Sequence, residues 1–319
     1  MSEVVAMGEL LVEIMRPRAG MSFYEIGTFL GPFPSGAPGI FIDTVARLGH
    51  CASIIGAVGG DEFGQCIIDR FRRDGVATEF IEVLPDKATG VAFVTYFEDG
   101  SRKYIFHWDG TPAVMARVPD RNRIKDSPPS FFHLMGCSLM ANDEFRRRVY
   151  EAVELFAAEG ARITFDPNIR FELLRGRTVE EIAGPVLRCS SILFPGDKEL
   201  LLLSGREDIE AAVETLFERH PLEVLVLKRG RAGCTVYSSE GKKDIPAFSV
   251  QEVDPTGAGD CFDAGFLCGL LEGRSLEESA RLAAAVGALN TQAFGPMEGE
   301  INPQAVARLL SGSDSDEGG

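Results

Sequence analysis

The residues best suited to chemistry form one short run, Asp254-Pro255-Thr256-Gly257-Ala258-Gly259-Asp260, just ahead of an apolar helical stretch. Three small residues at a helix start let the amides of Gly257, Ala258 and Gly259 converge on an anion. Any side chain larger than methyl would block that approach. Asp260 falls in the first turn, where the helix dipole favours its carboxylate. A carboxylate beside an anion hole is a suitable base for a hydroxyl attacking phosphorus, while the amides hold the charge that develops on the phosphoryl group. Residue types alone leave a second reading open, a glycine-rich turn with Asp260 as a favourable first-turn charge.

Two other segments join it as candidates. Asp166-Pro167-Asn168-Ile169-Arg170 follows an apolar strand. It is good turn chemistry, yet Arg170 lies at a strand's carboxyl end, where open α/β sheets bind ligands. Lys228-Arg229-Gly230-Arg231-Ala232-Gly233 ends another strand. Gly230 and Gly233 would let backbone approach a nucleotide and Lys228 could offset phosphate charge. A plain hairpin with solvated basic residues fits equally well.

Regular alternation of elements must position these segments. Strands are expected at 4–7, 10–15 and 53–58, with helices at 37–48 and 61–74. From 131 onward strands at 131–135, 162–165, 191–194 and 224–228 alternate with helices at 143–158, 179–189, 198–203 and 208–219. That rhythm implies a mostly parallel sheet covered by helices on both faces. Runs at 235–238 and 243–250 read as antiparallel additions at an edge, and 257–271, 276–292 and 303–310 as closing helices. Runs at 89–98 and 102–107 flank Asp99-Gly100, a strong hairpin signal. With residues 10–34 they fit no βαβ rhythm and are expected to form a small separate sheet, a lid. One domain is thus placed at 1–310, with lid strands from about 10–34 and 88–110. The polar, acidic stretch 311–319 is expected to be a disordered tail.

The chain has 319 residues, 45% of them hydrophobic, and a net charge of −16. That composition supports a sizeable core and argues against nucleic acid as a partner. An anionic ligand would need a locally positive site, which helix amides supply without lysine. Seven scattered cysteines with no C-x-x-C pair read as reduced thiols in apolar runs such as Cys51-Ala52-Ser53-Ile54-Ile55. The four histidines show no metal spacing. No signal peptide or membrane span is expected, so the protein is placed in the cytoplasm.

The ten residues Thr256–Gly265 closely resemble the C-terminal signature of the PfkB (ribokinase-like) carbohydrate kinases. The resemblance extends in order over nearly the whole chain, through Gly56–Gly64, the Asp166–Arg170 turn of fructokinase-like and ketodeoxygluconate-kinase-like members, and Lys228–Gly233. It implies a ribokinase-like α/β fold with a small β-sheet lid, ATP and Mg2+ as cofactors, and K+ as a possible third. It also implies Asp260 as catalytic base with Gly257, Ala258 and Gly259 as anion hole. Asn168 and Arg170 would face the transfer region, and Lys228, Gly230, Gly233, Ala288 and Asn290 the nucleotide. Glu199 would serve magnesium and Asp254 a monovalent-cation loop. The family's N-terminal Gly-Gly and following Asn are replaced: Ser35-Gly36-Ala37 occupies the sugar-side turn and Ile40 the Asn position. A second Asn is replaced by Gly196.

On the substrate side the resemblance points to Glu13 as the acid that meets sugar hydroxyls, with Ser35, Gly36 and Ala37 beside it. Trp108, the only tryptophan, could stack on a sugar face or pack the lid onto the core. Asp109 stands where sugar-acid kinases often carry an Arg, and an acid there would repel a carboxylated sugar. Arg102 and Lys103 are expected to face solvent. The implied substrate is a neutral hexose, a ketohexose such as fructose or tagatose. The alternatives are 2-keto-3-deoxygluconate, then a nucleoside, then a ligand held by a non-catalytic family member. A homodimer pairing through the lid is expected.

Overall fold

A computed structural model describes residues 2–99, 101–174 and 176–313. Strands β1 (Val4–Met7), β2 (Leu11–Met15), β3 (Leu30–Ser35), β4 (Ala52–Gly59), β5 (Ile81–Leu84), β6 (Gly90–Tyr96) and β7 (Arg102–His107) make up the N-terminal part with helices α1 (Ala37–Arg47) and α2 (Glu62–Asp74). The middle alternates β8 (Phe131–Met135), α3 (Gly136–Met140), α4 (Asp143–Ala158), β9 (Arg162–Asp166), α5 (Val179–Leu187), β10 (Ser190–Leu193), α6 (Asp197–Ser204), α7 (Ile209–Arg219) and β11 (Val224–Lys228). The hairpin β12 (Cys234–Ser238) and β13 (Gly241–Ile245) follows, then α8 (Ala258–Leu271), α9 (Leu276–Asn290) and α10 (Pro303–Ser313).

The large sheet runs β13-β12-β11-β10-β9-β8-β1-β4-β5. It is parallel except for the antiparallel β12 and β13 at one edge. Strand β1 shows why it is covered on both sides: Val4 and Ala6 join one core, Val5 and Met7 the other. The first core packs α1, α2, α8, α9 and α10 on one face; the second packs α3 to α7 on the opposite face. Burial on both faces makes these strands near-continuous apolar runs, which is the pattern of parallel sheets.

A separate four-stranded sheet has the order β3-β2-β6-β7. Its strands arise where the second-sheet expectation placed them, and β2 and β6 pair in parallel while the other neighbours are antiparallel. Fully buried Arg16, just after β2, donates to the carbonyls of Ser22 and Thr28 at 2.7 and 3.1 Å and to that of Glu25. These bonds pin the long connection to β3.

Some boundaries differ. The edge strand β13 stops at Ile245, and residues 246–250 continue without ladder partners. Short β5 and α3 carry too little pattern to be read in advance. Helix α10 continues through Ser311 to Ser313, so the expected tail loses its first three residues to a helix; residues 314–319 lie outside the described residues. So does Gly100 at the hairpin tip. Cys137, Cys234, Cys261 and Cys268 are buried thiols, but Cys51 is exposed. Among the described residues no helix is long and apolar enough to cross a membrane.

Candidate active site

Strands β1, β8, β9 and β11 end on the same side of the large sheet, and the chain emerging from each carries a polar group into one region. Glu9 follows β1, Cys137 follows β8, Asp166 ends β9 and Lys228 ends β11. All four line a partly open cavity of about 220 Å³, walled on the lid side by Leu11, Glu13, Arg102, Tyr104, Phe106 and Trp108. A second, less polar cavity of about 590 Å³ is lined by Gly230, Gly233, residues 247–250 and one face of α9, Ala284, Gly287, Ala288 and Thr291. Lys228, Pro255 and Gly259 line both. The start of α8 is therefore the shared wall.

The residues there explain why the helix begins where it does. Gly257 is the N-cap with φ 78°, a left-handed conformation that a Cβ disfavours. A Cβ would also lie 2.4 Å from the Pro296 carbonyl oxygen. At Gly259 the nearest atom to such a Cβ is Lys228 Nζ, 3.6 Å away. The protein itself does not demand glycine at that point, and its absence of a side chain keeps the junction open. Asp260, in the first turn, lines the first cavity. Burial, and then the negative charge of Asp166, pushes its carboxyl up to about 8, against the pull of Lys228, Arg170 and Arg102.

Asn168 orients that carboxyl, its Nδ2 donating to Asp260 Oδ1 at 3.2 Å. It holds φ 36°, a left-handed conformation that asparagine tolerates better than most residues. Its backbone amide is fixed by Asp166 Oδ1 at 3.0 Å. Lys228 does not stand free to meet phosphate, as the sequence suggested. Its Nζ donates to Asp166 Oδ2 at 2.8 Å and to the two Asp263 oxygens at 3.1 and 3.2 Å. Burial would lower its pKa, but Asp166, Asp263 and Glu199 hold it above the usual value, so it remains a cation.

Glu13 reaches the first cavity from β2. Its Oε1 accepts from Ser35 Oγ at 2.7 Å, and its buried Oε2 has no protein partner. Burial raises its carboxyl to about 7, against the Ser35 hydrogen bond and the charge of Arg102. Ser35 thus serves Glu13 and is not itself on the cavity wall, whereas Gly36, Ala37 and Ile40 are. Trp108 is buried, stacked on Phe106 at 4.6 Å, and contributes to the wall as well as to lid packing. Arg170 lines the cavity with its guanidinium 5.6 Å from the Tyr104 ring centre.

Several expectations need correction. Asp109 is exposed and off the cavity wall, while Arg102, exposed as expected, also reaches that wall. Asp109 is therefore not placed to repel a carboxylated sugar. Asn290 turns away from the second cavity and donates to the Thr256 carbonyl at 2.7 Å. Asp254 spends both oxygens within the protein, accepting from Tyr96 Oη and Thr256 N on one and from Gly295 N on the other. Glu199 lies on the first cavity, its oxygens accepting from Ile169 N at 2.7 Å and Gly196 N at 2.8 Å.

Glu9, Asp166, Asp263, Arg102 and Tyr104 were missed as site residues. Glu9 is buried, receiving Ser138 Oγ at 2.5 Å and Cys137 Sγ at 3.1 Å. Its signal was an acid directly after a β-strand and a glycine. Arg102, Tyr104 and Phe106 had the period of a single strand face, but nothing local said that this face was the inner one.

The pfkB family carbohydrate kinase profile matches residues 34–303. The chain belongs to that family. It is a phosphotransferase acting on a sugar hydroxyl. Among the similar proteins is fructokinase-1 of Zea mays, 31% identical over 313 residues that cover 93% of this chain and 96% of the relative. Fructokinase-1 of Oryza sativa subsp. japonica is 30% identical, covering 96% and 97%. An E. coli protein described as a ribokinase II, crystallised with ATP and Mg2+, superposes with a TM-score of 0.90 at 38% identity, covering 98% of this chain and 99% of that one.

Proposed function

We propose that this carbohydrate kinase transfers the γ-phosphoryl group of ATP to a hydroxyl of a neutral ketohexose, fructose first among them. The observation that carries the reading is the start of α8, which walls both cavities and sets Asp260 in the smaller one. Fructokinase names among relatives of matching length support the sugar.

In this reading the larger cavity holds adenosine against the small-residue face of α9 and the turn at Gly230 and Gly233. The phosphates pass Gly259 to reach the smaller cavity. Ionised Asp260, steadied by Asn168, takes the proton of a sugar hydroxyl as that oxygen bonds to the γ-phosphorus and the bond to the β-phosphate oxygen breaks. The amides of Gly257, Ala258 and Gly259 receive the charge spreading over the phosphoryl oxygens. Glu13 and its free Oε2 accept from sugar hydroxyls. Mg2+ would neutralise phosphate charge. Among the described residues no cluster of three or more acidic, Cys or His side chains is placed to chelate a metal. That fits an ion that keeps its waters, approached through them by Glu199 and Asp166. With the Asp254 carboxylate already occupied, K+ would rely on backbone carbonyls of the surrounding loops.

The test is ADP release with fructose, tagatose, 2-keto-3-deoxygluconate and inosine. Arg102 and Arg170 on the wall give the sugar acid a specific claim to a place in that panel. Turnover highest with a ketohexose supports the proposal, and no turnover with any sugar overturns it. ATP as donor and unpaired thiols suit a cytoplasmic setting. We also infer pairing of two copies through the outer lid face, where Ile105 is 39% exposed and its cross-strand neighbour Phe93 stands between the rings of Phe29 and His107.

A further inference from the structure

Thr256, the residue before the proposed anion hole, is gripped by the lid as well as by the core. Its Oγ1 receives Arg102 Nη1 at 3.3 Å and lies 2.8 Å from Tyr96 Oη. Tyr96 in turn donates to Asp254 Oδ1 at 2.8 Å. Because Tyr96 gives its proton to a carboxylate and Arg102 can only donate, the Thr256 hydroxyl must donate to Tyr96. One directional chain then runs Arg102 to Thr256 to Tyr96 to Asp254. The remaining polar atoms of Thr256 are also engaged: its amide by Asp254 Oδ1 at 2.9 Å and its carbonyl by Asn290 Nδ2 at 2.7 Å. Asp254 ties the same segment to Gly295.

Tyr96 and Arg102 are directly opposite each other across the β6–β7 pair. A single register position of the lid therefore delivers both donors, and a one-residue slip of β7 against β6 would turn Arg102 to the face opposite Tyr96. Thr256 and Asp254 are almost wholly buried, so breaking the chain leaves polar atoms without a ready water substitute.

We propose that Tyr96 and Arg102 are positioning residues: the lid fixes Thr256, and through it the direction of the Gly257, Ala258 and Gly259 amides. Phosphoryl transfer is thereby tied to a seated lid, so that the anion hole is in register only when the sugar cavity is covered. The inference rests on the kinase reading above. Tyr96 is the informative probe because it does not line the sugar cavity, whereas Arg102 does. An effect of Tyr96→Phe on turnover cannot come from a lost sugar contact, and the phenylalanine ring keeps the packing against Phe294.

The experiment compares wild type, Tyr96→Phe, Thr256→Val, Thr256→Ser and the Tyr96→Phe/Thr256→Val pair. Tyr96→Phe should lower kcat about tenfold with KM for sugar and ATP changed less than about twofold, the pattern of an interaction needed in the transition state. Thr256→Ser, which keeps the hydroxyl, should stay within about threefold of wild type, while Thr256→Val should match Tyr96→Phe. The double variant should be no worse than Thr256→Val alone. Hydrogen exchange at residues 256–259 should speed up in Tyr96→Phe. A Tyr96→Phe enzyme with kcat within about twofold of wild type, or losses that simply add, overturns the proposal. If wild type turns over no sugar, the kinase reading fails instead, and unchanged exchange at 256–259 would then overturn the positioning role on its own.

Discussion

Asp260 holds its proton to about pH 8 in the folded protein, so the fraction able to act as base grows as pH rises. We predict that kcat/KM of the wild type climbs with pH and levels off above about 8, read from a pH–rate profile. Asp260→Asn should lower kcat by about 10²–10⁴-fold, the usual worth of a general base. The same residue makes a stability prediction. Its folded pKa is above the unfolded 3.8, so the folded state binds more protons between those values and loses stability as pH rises through them. Asp260→Asn removes that loss, and its melting temperature relative to wild type should increase from about pH 5 to about pH 9. Glu13→Gln should raise sugar KM more than it lowers kcat, in the same ADP-release assay. At this scale the sequence showed which residues gather at the site better than what each one touches. Asp260, Asn168, Glu13 and Lys228 all reach it. Ser35, Asn290 and Asp254 spend their polar atoms on neighbours that lie tens of residues away in the chain, beyond the reach of any local pattern.

Helix α8 separates two roles that glycine plays within three residues. Gly257→Ala should destabilise the fold by about 1–3 kcal/mol, since it forces a left-handed alanine against the Pro296 carbonyl. Gly259→Ala should leave the melting temperature equal or higher, as alanine favours helix, yet weaken ATP binding by intruding on the junction. Thermal melts and calorimetry with ATP distinguish the two. The helix start itself was legible because its small residues and following apolar run are local signals. The lid hairpin was legible as strands, but its facing was not. Alternation divides Arg102, Tyr104 and Phe106 from Lys103, Ile105 and His107 without saying which set turns inward. That is why Arg102, exposed as expected, was not also placed on the cavity wall, while Asp109 was set near the sugar by resemblance alone. Strand β5, four residues with mixed burial, and five-residue α3 hold too few periods to register.

The two cores on opposite faces of the nine-stranded sheet give the molecule its rigid platform, and that layering followed from the alternation of elements read in the sequence. The lid's outer face carries the pairing proposed above. On that proposal Ile105→Lys should sediment as a lighter particle than wild type, with sedimentation velocity as the measurement. The lid also has an unusual relation to the chain. It takes β2 and β3 from residues 11–35 and β6 and β7 from 90–107, and the large sheet claims β4 and β5 in between. Exposed Arg18 lies in the connection between β2 and β3. Trypsin cutting there would separate a short N-terminal fragment that owns one strand in each sheet. That fragment is hydrogen-bonded to β4 and β8 through β1, and to β3 and β6 through β2. The nicked protein should therefore elute as one particle and fall into two pieces only in denaturant, a naturally interleaved pair of fragments that no single cut can unlid.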